Sequence, residues 1–136
     1  LLHNALYATF AMAAGWLADH FDKRRVLATG YLLAAVMGIA IVALPPNLWT
    51  LALVFALGGV YVAIEETLED SLCAELVPPA QHGMAFGTLA TVNGIGDFAS
   101  SIVVGLLWTT LGTTAAFGYS AVLAACGAAL VLRVKG

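Results

Sequence analysis

The sequence predicts an all-α fold, a polytopic bundle of membrane helices, and three observations carry that prediction. Apolar residues make up 62% of the 136 positions and charged residues 10%, whereas soluble domains carry roughly 25% charged residues. The few charges fall in short clusters, and the runs between them are long enough to cross a hydrocarbon core of ~30 Å. Residues that break or turn helices, Pro45-Pro46, Pro78-Pro79 and the stretch Thr109 to Thr114, stand at the ends of those runs.

Five spans follow in order, at about 2–18, 26–44, 48–68, 84–108 and 115–132. The first stops at the charged run Asp19-His20-Phe21-Asp22-Lys23-Arg24-Arg25. The second is free of charge and ends at Pro45-Pro46, which cannot continue a helix. The third is uncharged to Ile64, and its helix is expected to continue past Glu65, Glu66, Glu69, Asp70 and Glu75 to the second proline pair. No charge occurs from Phe98 to Leu132, which is too long for one span. Thr109-Thr110-Leu111-Gly112-Thr113-Thr114 divides that run into the fourth and fifth.

The basic residues set the orientation. They are Lys23, Arg24 and Arg25 in one loop, and Arg133 and Lys135 at the end. With five spans both groups lie on one side, which the positive-inside rule assigns to the cytoplasm. Four or six spans would bring the groups into conflict. The expected location is a bacterial cytoplasmic (inner) membrane with the C-terminus cytoplasmic. The chain starts abruptly inside an apolar helix, at Leu1-Leu2-His3-Asn4, without a cleavable signal pattern. A larger protein with sequence N-terminal to Leu1 is therefore expected.

Several function classes find no support. There is no basic stripe with interleaved aromatics, so nucleic acid is not an expected partner. No nucleophile elbow, zinc-type histidine spacing or phosphate loop appears, so neither an enzyme nor a cofactor is expected. Cys73 and Cys126 read as small apolar helix residues. Carboxylates on a single helix cannot converge on one ion, so no metal site is expected either.

Two places carry candidate chemistry. On the third span Glu65, Glu66, Glu69 and Asp70 fall within an arc of roughly 140° at ~100° per residue, with Tyr61 one turn earlier. Glu65 lies ~26 Å along the helix from Leu48, near its cytoplasmic end. Such acids suit a proton or cation relay into a cavity; the other reading is a solvated helix end, which suits Asp70 and Glu75 better. On the fourth span Asp97 stands in a charge-free stretch from Met84 to Trp108. A carboxylate at that depth needs a partner, a cavity or a transport pathway. It shares a face with Ala90, Asn93, Gly94 and Ser101, while Leu89, Val92, Ile95, Phe98, Ile102 and Leu106 occupy the rest. Asp97 is thus either a protonatable coupling or substrate group, or an anchor to a neighbouring helix. Gly83-x-x-x-Gly87 and Ser101-x-x-x-Gly105, with Gly94 between them, have the spacing that permits close helix contact. His3 and Asn4 suit packing or hydrogen bonding in the protein interior.

The stretch Gly15-Trp16-Leu17-Ala18-Asp19-His20-Phe21-Asp22-Lys23-Arg24-Arg25 resembles the signature loop of the major facilitator superfamily. It matches at Gly15, Asp19, Lys23 and Arg24. It departs at His20, where a permanent cation is usual, and at Asp22, where glycine is usual. The segment Glu75 to Gly87 resembles the same family's loop between helices ten and eleven, with His82-Gly83 where an Arg-Gly pair is common. The resemblance implies helices eight to twelve, the C-terminal half, of a twelve-helix secondary transporter that moves a small solute by alternating access against an N-terminal half. Proton coupling through Asp97, Glu65, Glu66 and Glu69 is the expected drive, with Asn93 and Tyr61 beside them. The loop of Gly15, Asp19, Lys23, Arg24 and Arg25 would act as a cytoplasmic gate; otherwise it marks the membrane surface. A small oligomeric channel complete in five spans is the alternative.

Overall fold

The computed structural model describes residues 2–133, with side chains from residue 4. The side chain of His3 and the whole of Lys135 lie outside the described residues. Five helices account for almost all of the rest: α1 (Leu2–His20), α2 (Lys23–Ala43), α3 (Leu48–Leu76), α4 (His82–Leu111) and α5 (Thr113–Val131), with one 3-10 turn at Pro79–Gln81 before α4. There is no strand among the described residues.

Each helix end has a local cause. The Asp22 carboxylate accepts from the Arg24 backbone N–H at 2.9 Å and caps α2. Pro45 and Pro46 stop α2, and Asn47 then caps α3 by accepting from Thr50 N–H at 2.9 Å. α3 runs through all five of its acids before Val77 turns extended ahead of Pro78-Pro79. Between α4 and α5 the chain turns at Gly112, whose φ of 88° favours a residue without a Cβ.

Four helices are long and apolar enough to cross a membrane: α2, α3, α4 with its leading turn, and α5. α1 is 19 residues long, but His3, Asn4, Asp19 and His20 at its two ends lower its hydropathy. α2 sits centrally, packed on α5 along one side and on α3 along the other, while α1 lies against α3. α4 leans on α5 and touches α3 over a shorter stretch.

Small residues let these helices approach, as expected where lipid is no more polar than the helix surface and packing must come from close contact. Ala14, Ala18, Ala28, Ala35, Ala63, Ala116, Ala121 and Ala128 are all buried, and Leu68 is the large side chain wholly enclosed at the centre. α2 crosses α3 at Gly30, where a Cβ would come within 2.7 Å of Ile64 Cγ2. It crosses α5 at Gly38, where a Cβ would meet the Phe117 carbonyl at 3.1 Å and Ala121 Cβ at 3.3 Å. α2 and α5 run antiparallel, so Gly127 of α5 meets Tyr31 near the other end. Arg24 and Val131 accordingly line one cleft, and Lys23, Arg24, Arg25 and Arg133 all lie at one end of the bundle.

The glycine face of α4 departs from this pattern. Gly83, Gly87, Gly94 and Gly105 meet no heavy atom within 4 Å of a would-be Cβ, and Ser101 is exposed. The spacing that predicts close contact there finds no neighbour among the described residues. No described residue of α4 is buried.

Candidate functional site

Glu65, Glu66 and Glu69 of α3 are each met by a tyrosine, and the tyrosines come from three helices. Tyr61, one turn earlier on α3, donates to Glu65 Oε1 at 2.6 Å. Tyr7 of α1 donates to Glu66 Oε2 at 2.6 Å. Tyr31 of α2 donates to Glu69 Oε1. The Tyr31 and Tyr61 rings lie 6.5 Å apart between centroids. Phenolic hydroxyls suit this task, because the ring packs among apolar side chains while the O–H offers a short donor to a charge-bearing acceptor.

α4 enters the same cluster. Asn93 donates its amide N–H to Glu69 Oε2 at 2.8 Å. Asp97, one turn further along, lies within Coulombic reach of Glu65, as do Glu66 and Glu69. Among the described residues no donor reaches the Asp97 carboxylate; the side-chain hydrogen bond beside it runs from Ser100 Oγ to the Asp97 backbone carbonyl, at 3.1 Å. The two acid-bearing helices read separately in the sequence therefore meet at one place. Tyr31 lies ~12 Å along α2 from Lys23, Asn93 ~16 Å along α4 from His82, and Glu69 ~10 Å along α3 from Leu76. The cluster thus stands well inside the helix ends.

Clefts open around it. One of about 200 Å³ between α3 and α4 is lined by Glu66, Glu69, Asp70, Phe86, Leu89, Ala90 and Asn93. Another of about 500 Å³ carries the hydroxyls of Tyr31, Tyr61, Ser100, Tyr119 and Ser120 among apolar side chains of α2 and α5. Hydroxyls and carboxylates on apolar walls are the composition of a small-solute site, in which a few polar groups fix orientation.

At the end carrying the basic residues a second set of contacts joins α2, α3 and α4. Lys23 Nζ pairs with Glu75 Oε1 at 2.5 Å, tying the start of α2 to the end of α3. Glu75, read as a solvated helix end, thus has its partner in this chain. An ion pair with one exposed member contributes little to stability, ~0–1 kcal/mol, so its interest lies in geometry. Asp22 also pairs with Arg24 Nε at 3.6 Å while capping α2. His82 Nε2 reaches the carbonyls of Ala74 and Val77 at 3.1 and 3.2 Å, carbonyls that the end of α3 would otherwise leave unmet. His20 Nδ1 lies 2.8 Å from the Trp16 carbonyl, with its ring stacked on the Trp16 indole. Gly15 sits in ordinary contact with Thr67 of α3, a would-be Cβ standing 3.9 Å from it. Asp19 and Arg25 are exposed.

Sequence reasoning placed Glu65, Glu66, Glu69, Tyr61, Asn93 and Asp97 among the candidates and passed over Tyr7 and Tyr31. Tyr31 left a signal. In the charge-free run from Val26 to Leu44, Thr29 and Tyr31 are the only hydrogen-bonding side chains, and a phenol in lipid has to find an acceptor. Tyr7 left none comparable, because Asn4 and Thr9 share its helix.

The family description "Major Facilitator Superfamily" matches residues 2–135. An uncharacterised MFS-type transporter of Methanocaldococcus jannaschii is 28% identical over 134 residues, covering 98% of this chain and 33% of its own length. The MFS-type transporter ppzB of Metarhizium rileyi is 31% identical over 121 residues, 89% of this chain and 25% of its own length. A ppzB transporter of Metarhizium majus is 29% identical over 85% of this chain. The chain therefore spans about a third or less of the length of these relatives, and no solved structure matches it. With four helices long and apolar enough to cross a bilayer, this is a multi-pass membrane protein, and the chain belongs to the Major Facilitator Superfamily.

Proposed function

We propose that this chain is the bundle of helices eight to twelve of a secondary active transporter, and that it moves a small solute by alternating access against an N-terminal half. On this reading α1 also crosses the membrane, which puts Lys23–Arg25 and Arg133 on the cytoplasmic side. The match covers nearly the whole chain but a third or a quarter of each relative, as expected of such a portion. Function lives in the site rather than the fold. The observation that carries the reading is the convergence of Glu65, Glu66 and Glu69 with Tyr7, Tyr31, Tyr61 and Asn93, four helices meeting through side-chain hydrogen bonds.

Proton coupling is the drive this cluster supports. Intramembrane acids are costly and mark ion or proton pathways. Here they face one another, open clefts and neutral donors. Asp97 is the member without a donor, and so the one free to exchange a proton or meet a substrate. The loop from Gly15 to Arg25, with the Lys23–Glu75 pair, serves as the cytoplasmic gate, since that pair can break and re-form between two arrangements of α2 and α3.

Replacement of Asp97 by Asn in the transporter, reconstituted in vesicles, tests the coupling. The expected result is loss of uptake or efflux driven by a pH gradient, with facilitated exchange of the same solute retained. Unchanged gradient-driven transport with an unchanged pH profile removes Asp97 from the mechanism.

A further inference from the structure

Glu69 is connected differently from its neighbours. Glu65 and Glu66 each take one tyrosine. Glu69 takes a donor on each oxygen, Tyr31 of α2 on Oε1 and Asn93 of α4 on Oε2, so one carboxylate joins three helices. Towards α2 this tie is one contact among many, because α2 and α3 interlock around Gly30 and Ile64. Towards α4 it stands almost alone. No described residue of α4 is buried, its glycines meet no neighbour, and it touches α3 over a short stretch. The other polar tie between the two helices is His82 on the Ala74 and Val77 carbonyls, beside the turn that joins them. At its far end α4 rests on α5 through Trp108 and Phe117, with ring centroids 5.6 Å apart. Asn93 is the side chain that hydrogen-bonds the middle of α4 to α3.

We propose that Asn93 is a positioning residue acting through Glu69, and that proton uptake by Glu69 releases the middle of α4 from α3. An ionised carboxylate accepts on both oxygens and donates on neither. A proton bound at Oε2 forms one O–H bond there and sets that donor against the Asn93 NH2 group. The Asn93–Glu69 hydrogen bond then loses the charge that made it about twice as strong as a neutral one, and the tie weakens, while Tyr31 keeps its acceptor on Oε1. Hydronium from the acidified solvent supplies the proton, giving up one of its O–H bonds and leaving neutral water. The groups around Glu69 are Tyr61, Glu65, Glu66 and Asp70 of α3, Asp97 of α4 through Glu65, Tyr31 and Arg24 of α2, and Cys73 in the cleft beside it.

The device presupposes that these acids are the proton-exchanging group of the transporter, so its test reads a distance instead of a flux. Cys73 on α3 and Leu89 on α4 line the same cleft. Nitroxide labels on Cys73 and on Leu89→Cys, with Cys126 and any other cysteine of the protein replaced by Ser, are attached at one pH, and dipolar broadening is followed from about pH 8 to about pH 4, down into the carboxylate range. The expected result is broadening at the upper end that is lost reversibly on acidification. Glu69→Gln, which cannot titrate, abolishes that pH response. Asn93→Leu, which removes the donor and leaves the acid, gives the loosened spectrum at every pH and carries the test if Glu69→Gln does not fold. Tyr31→Phe keeps the response, since the Asn93 tie survives.

A spectrum that does not change with pH in the parent, or a response that persists in Glu69→Gln or in Asn93→Leu, overturns the proposal. A pH-independent spectrum alongside intact gradient-driven transport removes the α4 release and leaves the transport reading standing. A reversible pH response that depends on Glu69 and Asn93, with no gradient-driven transport, supports the release and removes proton-coupled transport.

Discussion

α2 and α4 look alike as sequence. Both are long apolar helices without an internal charge pair, and both carry glycines spaced through their length. In the structure they are used in opposite ways. α2 is clasped between α3 and α5, with Gly30 and Gly38 at the two crossings, whereas the glycines of α4 face open space. α4 is held instead by directed contacts, Asn93 to Glu69, His82 to the end of α3, and Trp108 on Phe117. A glycine permits close approach but does not cause it; what causes it is a complementary surface opposite. A clasped helix keeps its place through many weak contacts, while a helix held at a few polar points can be let go by changing one of them.

The largest expected effect separates the two directly. Alanine at Gly30 would place a Cβ 2.7 Å from Ile64 Cγ2 and 3.3 Å from Ile64 Cβ. Ile64 is β-branched, with little rotamer freedom on a helix to move aside, so α2 and α3 have to separate. Gly38→Ala meets a backbone carbonyl, that of Phe117, which yields no more easily. Overpacking of this kind costs about 1–3 kcal/mol, and each substitution should lower the thermal midpoint of the protein in detergent. A neutral result at both sites would mean that the clasp of α2 is looser than the distances imply.

How far the sequence foretells these roles depends on which partner settles them. The all-α class, the extension of α3 through Glu75 and the proline-bounded turn at Pro45-Pro46 are legible, because hydropathy and helix-breaking chemistry act within a segment. The acids of α3 and the lone Asp97 are legible as costly groups. That they meet is not, because the meeting depends on how far α4 lies from α3, which no periodicity within either helix contains. The tyrosines show the same division. Tyr61 is found from its one-turn spacing to Glu65, while Tyr7 and Tyr31 reach Glu66 and Glu69 from 59 and 38 positions away. The glycines of α4 are the converse case, a local pattern that meets no partner among the described residues.

A smaller effect sharpens the comparison at the helix starts. α2 begins with a side-chain cap from Asp22, and α4 begins after Gln81 with none. Asp22 stands where the signature loop usually has glycine, and the structure gives its reason in the bond to Arg24 N–H. Loss of such a cap to alanine costs about 1 kcal/mol, and to glycine a few tenths. Asp22→Ala should therefore lower the thermal midpoint measurably and Asp22→Gly barely. Equal losses would show that the carboxylate acts through its ion pair with Arg24 rather than through the cap. Gln81→Ala should leave stability unchanged.

The smallest effect has the opposite sign. Gly94 lies inside α4 with nothing within 4 Å of a would-be Cβ, so alanine there meets no clash and removes the conformational freedom that glycine retains when unfolded. Alanine is favoured over glycine in a helix interior by about 0.5–1 kcal/mol, and Gly94→Ala should hold or slightly raise the thermal midpoint of this chain. The same exchange thus stabilises α4 and destabilises α2. The measurement gains a second use in the full-length protein. If Gly94→Ala is harmless in this chain but destabilises the whole protein, the glycine face of α4 packs against a surface outside residues 1–136, and the spacing of Gly83, Gly87, Gly94, Ser101 and Gly105 acquires its partner there. If it is harmless in both, that face is open to the cavity or to lipid, and Asn93 remains the contact through which α3 holds the middle of α4.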